Sequence, residues 1–421
     1  MHPTVDPSTT KYNESLAAST LPDRMRVINL PRVESITSDT KPSTWLSSLV
    51  EGQKPHVKEY VSRIRTQYEM NPDSPRLAGF VFDTFATGLK DVSNEFGIPW
   101  YVFSAAGAAF IGSMLHLTAL HDEQGVDITE ITNSEDELEI PSLANPIPAK
   151  LVPSTVFEKY SLTTFLVHAR LLTEAKGILI NTFLELESYA VNSLSHGKTP
   201  PVYPVGPIVK HSGVGSDPLS DESNNSRDIM GWLDDQPPWG SFKENQVKEI
   251  AFALERSGHR FLWSLRKPSQ NGKMKSPSEY ENFQSILPQG FLDRTAKIGK
   301  VIGWAPQVEI LSHSASLRFG VPIATWPLYA EQRFNAFQKV IEVGLAFEIK
   351  IDYRKDFYGD TEIIVSSDDI LKAIKNVMEQ DSEIRKKVKE MSRISEKTLV
   401  AGGSSFSSLG RLIEDMVENM S

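Results

Sequence analysis

Three short, unbroken apolar runs constrain this chain more than any other feature. Residues 77–82, 98–103 and 177–181 are each too short for a helix, too apolar for an exposed strand, and bounded by polar or small residues. Such runs read as strands buried on both faces. Between them, residues 88–96, 105–120 and 162–175 carry apolar side chains at helical spacing. Strand, helix, strand, helix, strand in this order predicts a parallel, doubly wound sheet. Asp83 follows the first run directly. A carboxylate there stands where open parallel sheets bind ligands, and equally where a helix takes its N-cap.

The flanking segments fill in the first half. Residues 26–30 read as a strand stopped by Pro31. Residues 44–68 read as a helix (Trp45, Leu49, Val57, Val61, Ile64) interrupted near Pro55. Residues 123–153 are acidic and punctuated by proline, the pattern of a surface loop. Pro200, Pro201, Pro204 and Pro207 then stiffen the chain before a Gly/Ser/Asp/Asn tract at 211–227 that has almost no apolar content. This divides the chain into a first domain at 1–207, a linker at 208–228 and a second domain at 229–421. The second domain repeats the alternation. A helix is expected at 244–257, strands at 260–265 and 301–304, a helix at 330–343 and a strand at 345–351. Helix then runs from 367 to 420, with breaks near Gln380 and at Gly402-Gly403. In the last helix Phe406, Leu409, Leu412, Ile413, Met416 and Val417 form one expected apolar face.

Composition narrows the classes of partner. A net charge of −10 with no basic block beyond residues 385–389 argues against a nucleic-acid or anionic-membrane surface. No apolar run reaches the length of a membrane span, and the N-terminus lacks a signal-peptide pattern. With no cysteine among 421 residues, a disulfide framework and a thiolate metal site are both excluded. No His/Asp/Glu group has metal-ligand spacing either, so no metal is expected. A soluble, cytoplasmic monomer is the expectation.

The densest chemistry lies in residues 304–332, WAPQVEILSHSASLRFGVPIATWPLYAEQ. Trp304 stands beside Ala305-Pro306-Gln307, and Glu331-Gln332 sits just past a strand-like run ending at Trp326. Trp304 alone would read as core. Together with the acceptor–donor pair it offers a flat face for a base and partners for hydroxyls. This stretch resembles the signature box of the plant UDP-dependent glycosyltransferases. The resemblance implies an α/β chain of two Rossmann-like domains facing across a cleft, the GT-B arrangement. It also implies that Trp304, Ala305 and Gln307 hold uracil and ribose, and that Glu331 and Gln332 hold sugar hydroxyls. Residues 78–83, AGFVFD, resemble the family strand whose Asp orients a catalytic His, giving that role to Asp83.

The chain departs from the family at three places. Nothing before Asp83 matches the Gly-His-x-x-Pro type motif of the base, and His2 and His56 lack that context. After Pro237-Pro238 the family's apolar strand ending in Phe-Gly-Ser is missing. Inside the box the flanks join directly at Ala315-Ser316, without the His-Cys-Gly-Trp-Asn-Ser run. The second sheet is therefore expected to lack two strands. By resemblance the protein transfers a hexose, usually glucose, from a UDP-sugar to a hydroxyl of a small hydrophobic plant metabolite, with inversion. The UDP-sugar is a co-substrate and no cofactor is implied. The departures also fit a second reading, a catalytically inactive splice or gene-model remnant acting at most as a binding protein.

Overall fold

A computed structural model gives the fold. It describes residues 2–3, 25–31, 33, 42–71, 73–131, 136–152, 159–196, 199–208, 242–267, 279–303, 320–328, 331–353 and 363–420. Trp304, Ala305 and Gln307 therefore lie outside the described residues, as do the junctions at 238–240 and 315–316.

In the first half, β1 (His2–Pro3) pairs in parallel with β2 (Asn29–Leu30), a strand shorter than expected. Helix α1 (Pro42–Met70) follows, and it runs straight through Pro55. The expected interruption is absent because Pro55 lies on the exposed side, where the carbonyl freed by the missing N–H meets water. Val57 and Val61 bury the opposite side. Lys54 pins the same turn through Glu51 at 2.7 Å and Asp91 at 2.6 Å.

The central sheet is β3 (Phe80–Asp83), β4 (Trp100–Ser104), β7 (Ile178–Ile180) and β8 (Val202–Pro204), all parallel in the order β3-β4-β7-β8. Helices α2 (Lys90–Phe96), α3 (Ala108–Gln124) and α4 (Lys159–Glu174) make the crossovers up to β7, and a short helix over Ser188–Leu194 makes the last one to β8. The parallel α/β sheet expected for this half is present, with its four strands in chain order. One strand differs: β3 buries Phe80 and Phe82 but leaves Val81 47% exposed, so it is covered on one face only. The acidic segment also differs. It forms an antiparallel pair, β5 (Glu137–Leu138) with β6 (Ile147–Pro148), and Ile140, Ile147, Leu151 and Val152 are buried in the core. Its apolar residues outweigh its acidic composition, and it is not a surface loop.

In the second half, α5 (Glu244–Ser257) leads into β9 (Phe261–Ser264), which pairs in parallel with β10 (Gly299–Ile302). Strand β11 (Ile323–Thr325) pairs in parallel with β12 (Ala346–Glu348). Among the described residues no ladder joins the two pairs. Helix α5 spans them instead. Val247 and Ala251 enter the core over β9 and β10, while Ala253 enters the core holding Tyr353, Val365, Ile370 and Leu371. The second contact is with α6 (Ser367–Met378). Buried Gln246 fixes it by donating to Val365 O at 2.9 Å and accepting from Val365 N at 2.8 Å.

Two pieces of the second half pack on the first. Helix α7 (Gln332–Phe337), continued by a wider π turn over Gln338–Glu342, puts Phe334 and Phe337 into the first core. Buried Arg333 donates to Lys150 O at 2.6 Å. After α8 (Glu383–Thr398), the last helix, α9 (Ser404–Glu418), crosses back onto the first sheet. Leu412 and Met416 pack there with Tyr101, Leu179, Tyr203 and Val205. Gly79 lies under this contact, and a Cβ there would meet Met416 Cε, the flexible end of that side chain, at 2.9 Å. The Tyr203 hydroxyl donates to Asp415, and burial raises its pKa well above the tyrosine range. The single apolar face expected for this helix is divided. Leu412 is buried, whereas Phe406, Leu409, Ile413 and Val417 stay exposed because the sheet takes the neighbouring stripe.

Candidate functional site

The first half brings its polar groups together at the carboxyl ends of the parallel strands. Asp83 closes β3 and caps the 3₁₀ turn Thr84–Leu89, accepting from Phe85 N at 2.9 Å through Oδ1. The capping reading of Asp83 is thus realised, and its exposed carboxylate keeps Oδ2 for another partner. Thr84 donates to Phe103 O at 3.1 Å, which ties the turn to β4. Thr87 is fully buried and donates back to Thr84 O at 3.1 Å. Against this turn lies His168 of α4, its Nδ1 3.5 Å from Thr87 Oγ1. Burial lowers its pKa, opposed by the Thr84 backbone and the charge of Asp83, so the ring is neutral at pH 7.

Beside this cluster, buried Glu187 takes the amino end of α3. It accepts from Ala108 N at 3.1 Å and Ala109 N at 3.0 Å, and also from the side chain of Gln338. A carboxylate at a helix N-terminus satisfies donors that have no partner within the helix. Glu187 therefore holds α3 and the π turn after α7 in one arrangement. Neither Glu187 nor His168 is conspicuous in the sequence. The one signal for His168 is its place among Phe165, Ala169 and Leu172, a polar ring inside an apolar stripe.

In the second half, Glu331 and Gln332 stand at the start of α7, after β11. Glu331 is the N-cap residue, and its carbonyl accepts from Asn335 N at 3.0 Å. Gln332 turns its Oε1 back to accept from Leu328 N at 2.9 Å. Trp326 packs instead of stacking on solvent, 4.6 Å from Phe242 and 5.7 Å from Tyr353 between ring centroids. No described contact joins Asp83 to Glu331 or Gln332. Among the described residues no group of three or more His, Asp or Glu is placed to hold a metal, and no helix is long and apolar enough to cross a membrane. A concavity of about 600 Å³ is lined by Arg260, Phe261, Leu262 and residues 296–300. It opens at the amino ends of β9 and β10, the end of a parallel sheet opposite to the one that binds ligands.

Comparison with known proteins places these features. A family model described as UDP-glucoronosyl and UDP-glucosyl transferase matches residues 240–400. Anthocyanidin 3-O-glucosyltransferase 1 of Manihot esculenta is 48% identical, over 97% of this chain and 91% of its own length. UDP-glucose flavonoid 3-O-glucosyltransferase 6 of Fragaria ananassa is 48% identical, over 96% of this chain and 88% of its own. Among solved structures, a transferase from Siraitia grosvenorii in complex with UDP superposes with a TM-score of 0.78 at 38% identity, covering 98% of both chains. A Medicago truncatula enzyme complexed with UDP-glucose gives a TM-score of 0.78 at 33% identity, covering 99% of this chain and 91% of that one.

Proposed function

This chain belongs to the UDP-dependent glycosyltransferase family, and from that premise we propose how its residues divide the transfer of a hexose from a UDP-sugar to a hydroxyl of a small plant metabolite. The observation that carries the reading is near-half identity to flavonoid and anthocyanidin glucosyltransferases along almost the whole chain. That extent favours the enzyme over an inactive remnant. The two α/β halves are the two Rossmann-like domains of the GT-B fold. The donor is a co-substrate. The proposed inverting displacement needs a base on the acceptor and stabilisation of the leaving UDP, and it assigns neither task to a metal or redox cofactor.

Trp304 would stack on uracil, with Ala305 and Gln307 on base and ribose. Glu331 and Gln332 would hold sugar hydroxyls. Asp83 would take the place of the residue that orients the family's base histidine, which has no motif match in this sequence. We keep the division at 1–207, 208–228 and 229–421, with α9 returning to the first domain's sheet, and propose a cytoplasmic monomer. We also propose that the second sheet lacks two strands, on the strength of the direct joins after Pro238 and at Ala315-Ser316.

Incubation with UDP-glucose and a flavonol tests the function: a glucoside and UDP should both appear, and neither appearing would refute it. Titration with UDP, read by tryptophan fluorescence, tests the base site. Trp304→Ala should weaken binding by about tenfold or more, since stacking on an indole contributes about 1–3 kcal/mol. An unchanged affinity would remove Trp304 from the site.

Asp83 has two separable duties, and two substitutions divide them. Asp83→Ala loses both the cap and the charge, and should cost about 1 kcal/mol of stability as well as turnover. Asp83→Asn keeps an Oδ1 acceptor for Phe85 N but not the charge. It should melt like the parent while turnover falls by roughly 10²-fold or more. Equal turnover in Asp83→Asn and parent would leave Asp83 as a cap alone.

A further inference from the structure

We propose that Glu187 is a positioning residue for the donor sugar: from the first half it fixes where α7 of the second half presents Glu331 and Gln332. This rests on the glycosyltransferase reading, which gives that pair the sugar hydroxyls, and adds a residue of the other half that no motif in the sequence marks. Glu187 is buried and begins the short helix Ser188–Leu194 that follows β7. Its carboxylate accepts from Ala108 N and Ala109 N, so its place is set by the amino end of α3. Position 107 admits it because that residue is glycine, and a Cβ there would stand 2.7 Å from both carboxylate oxygens. The side-chain amide of Gln338 then donates to Oε1, the same oxygen that Ala109 N reaches.

Gln338 follows α7 directly, so one run of helix joins it to Gln332. Other attachments of that run are also to the first half. Arg333, next to Gln332, donates to Lys150 O at 2.6 Å and Val152 O at 3.4 Å, and Phe334 and Phe337 are buried in the first core. Glu342, which closes the π turn, accepts from Ala144 N at 2.8 Å and Asn145 N at 2.9 Å. A residue pair that belongs by sequence to the second half is thus carried on a helix seated on the first. Apolar packing gives such a seat adhesion without direction, and a hydrogen bond to a buried carboxylate adds the geometry. Glu187 supplies that bond from a place already fixed by α3, at the carboxyl end of β4. It therefore sets the register of α7, and with it the reach of Glu331 and Gln332.

The test uses the full chain and two probes, UDP and UDP-glucose, both titrated by tryptophan fluorescence. Gln338→Glu sets a second carboxylate against Glu187, and should weaken UDP-glucose binding about tenfold or more while UDP stays within about twofold of the parent. Adding Glu187→Gln to Gln338→Glu exchanges donor and acceptor, and should return most of the lost affinity. Gln338→Met removes the donor but keeps the bulk. It should weaken UDP-glucose alone, by about fivefold, and it decides the matter if Gln338→Glu does not fold. UDP-glucose affinity within about twofold of the parent in either variant overturns the proposal. So does an equal loss for UDP and UDP-glucose, the mark of a contact that only supports the fold. A parent chain that binds UDP but not UDP-glucose also overturns it. A parent chain that binds neither refutes the glycosyltransferase reading itself.

Discussion

Phe334→Ala should destabilise the protein by about 3–5 kcal/mol, the range for truncating a fully buried aromatic side chain. Phe334 is 0% exposed and stands 5.7 Å from Phe110 in an edge-to-face pair, so its removal leaves a cavity and deletes an aromatic contact. The effect should be shared between the halves. Phe334 belongs to α7 of the second half but is buried in the core of the first. The adjacent Arg333 donates to the carbonyl of Lys150 in that same core. In urea, probes in either half should therefore shift to a lower midpoint together. A loss below about 1 kcal/mol, or a shift confined to one half, would contradict the packing described.

Inserting the segments that the family resemblance leads one to expect after Pro238 and between Ala315 and Ser316 should have an effect of similar size and opposite sign. Each is expected to supply one strand with three or four large apolar side chains. At about 1.5–3 kcal/mol per buried side chain, the two contribute on the order of 10 kcal/mol of burial. The entropy of ordering them offsets most of that, leaving a net gain of roughly 3–5 kcal/mol. For a domain of this size, that corresponds to about 10 °C in Tm. The present structure shows where the gain would fall. Among the described residues β9–β10 and β11–β12 are separate pairs, and Leu262 of β9 is 48% exposed. A strand added beside β9 would cover that side chain. An unchanged melting curve would mean that the two pairs are stable as they stand.

Three strands of the first sheet were legible because they are unbroken apolar runs closed by polar residues, whereas β8 was hidden in the proline-rich segment before the linker. What escaped was decided by tertiary contact. Pro55 does not break α1, because Val57 and Val61 hold one side of the helix while Pro55 lies on the exposed side. Residues 123–153 are acidic in composition, yet Ile140, Ile147 and Val152 bury them. Only the position of the sheet decides which stripe of α9 is covered. At the site, Asp83, Glu331 and Gln332 were found by motif. His168 belongs to a different helix, and its proximity to Phe85 is a property of the fold and not of the local pattern.

The return of α9 to the first sheet bears on how the chain can be divided. A cut between residues 208 and 242 would sever the covalent link, but Leu412, Met416 and Tyr203–Asp415 would still fasten the carboxyl-terminal helix to strands made by the other fragment. Two pieces expressed separately would thus be complementary halves of one interface, each incomplete alone. Co-expression of 1–208 with 242–421 would let the pieces reassemble, and a reporter joined across that cut would read their association.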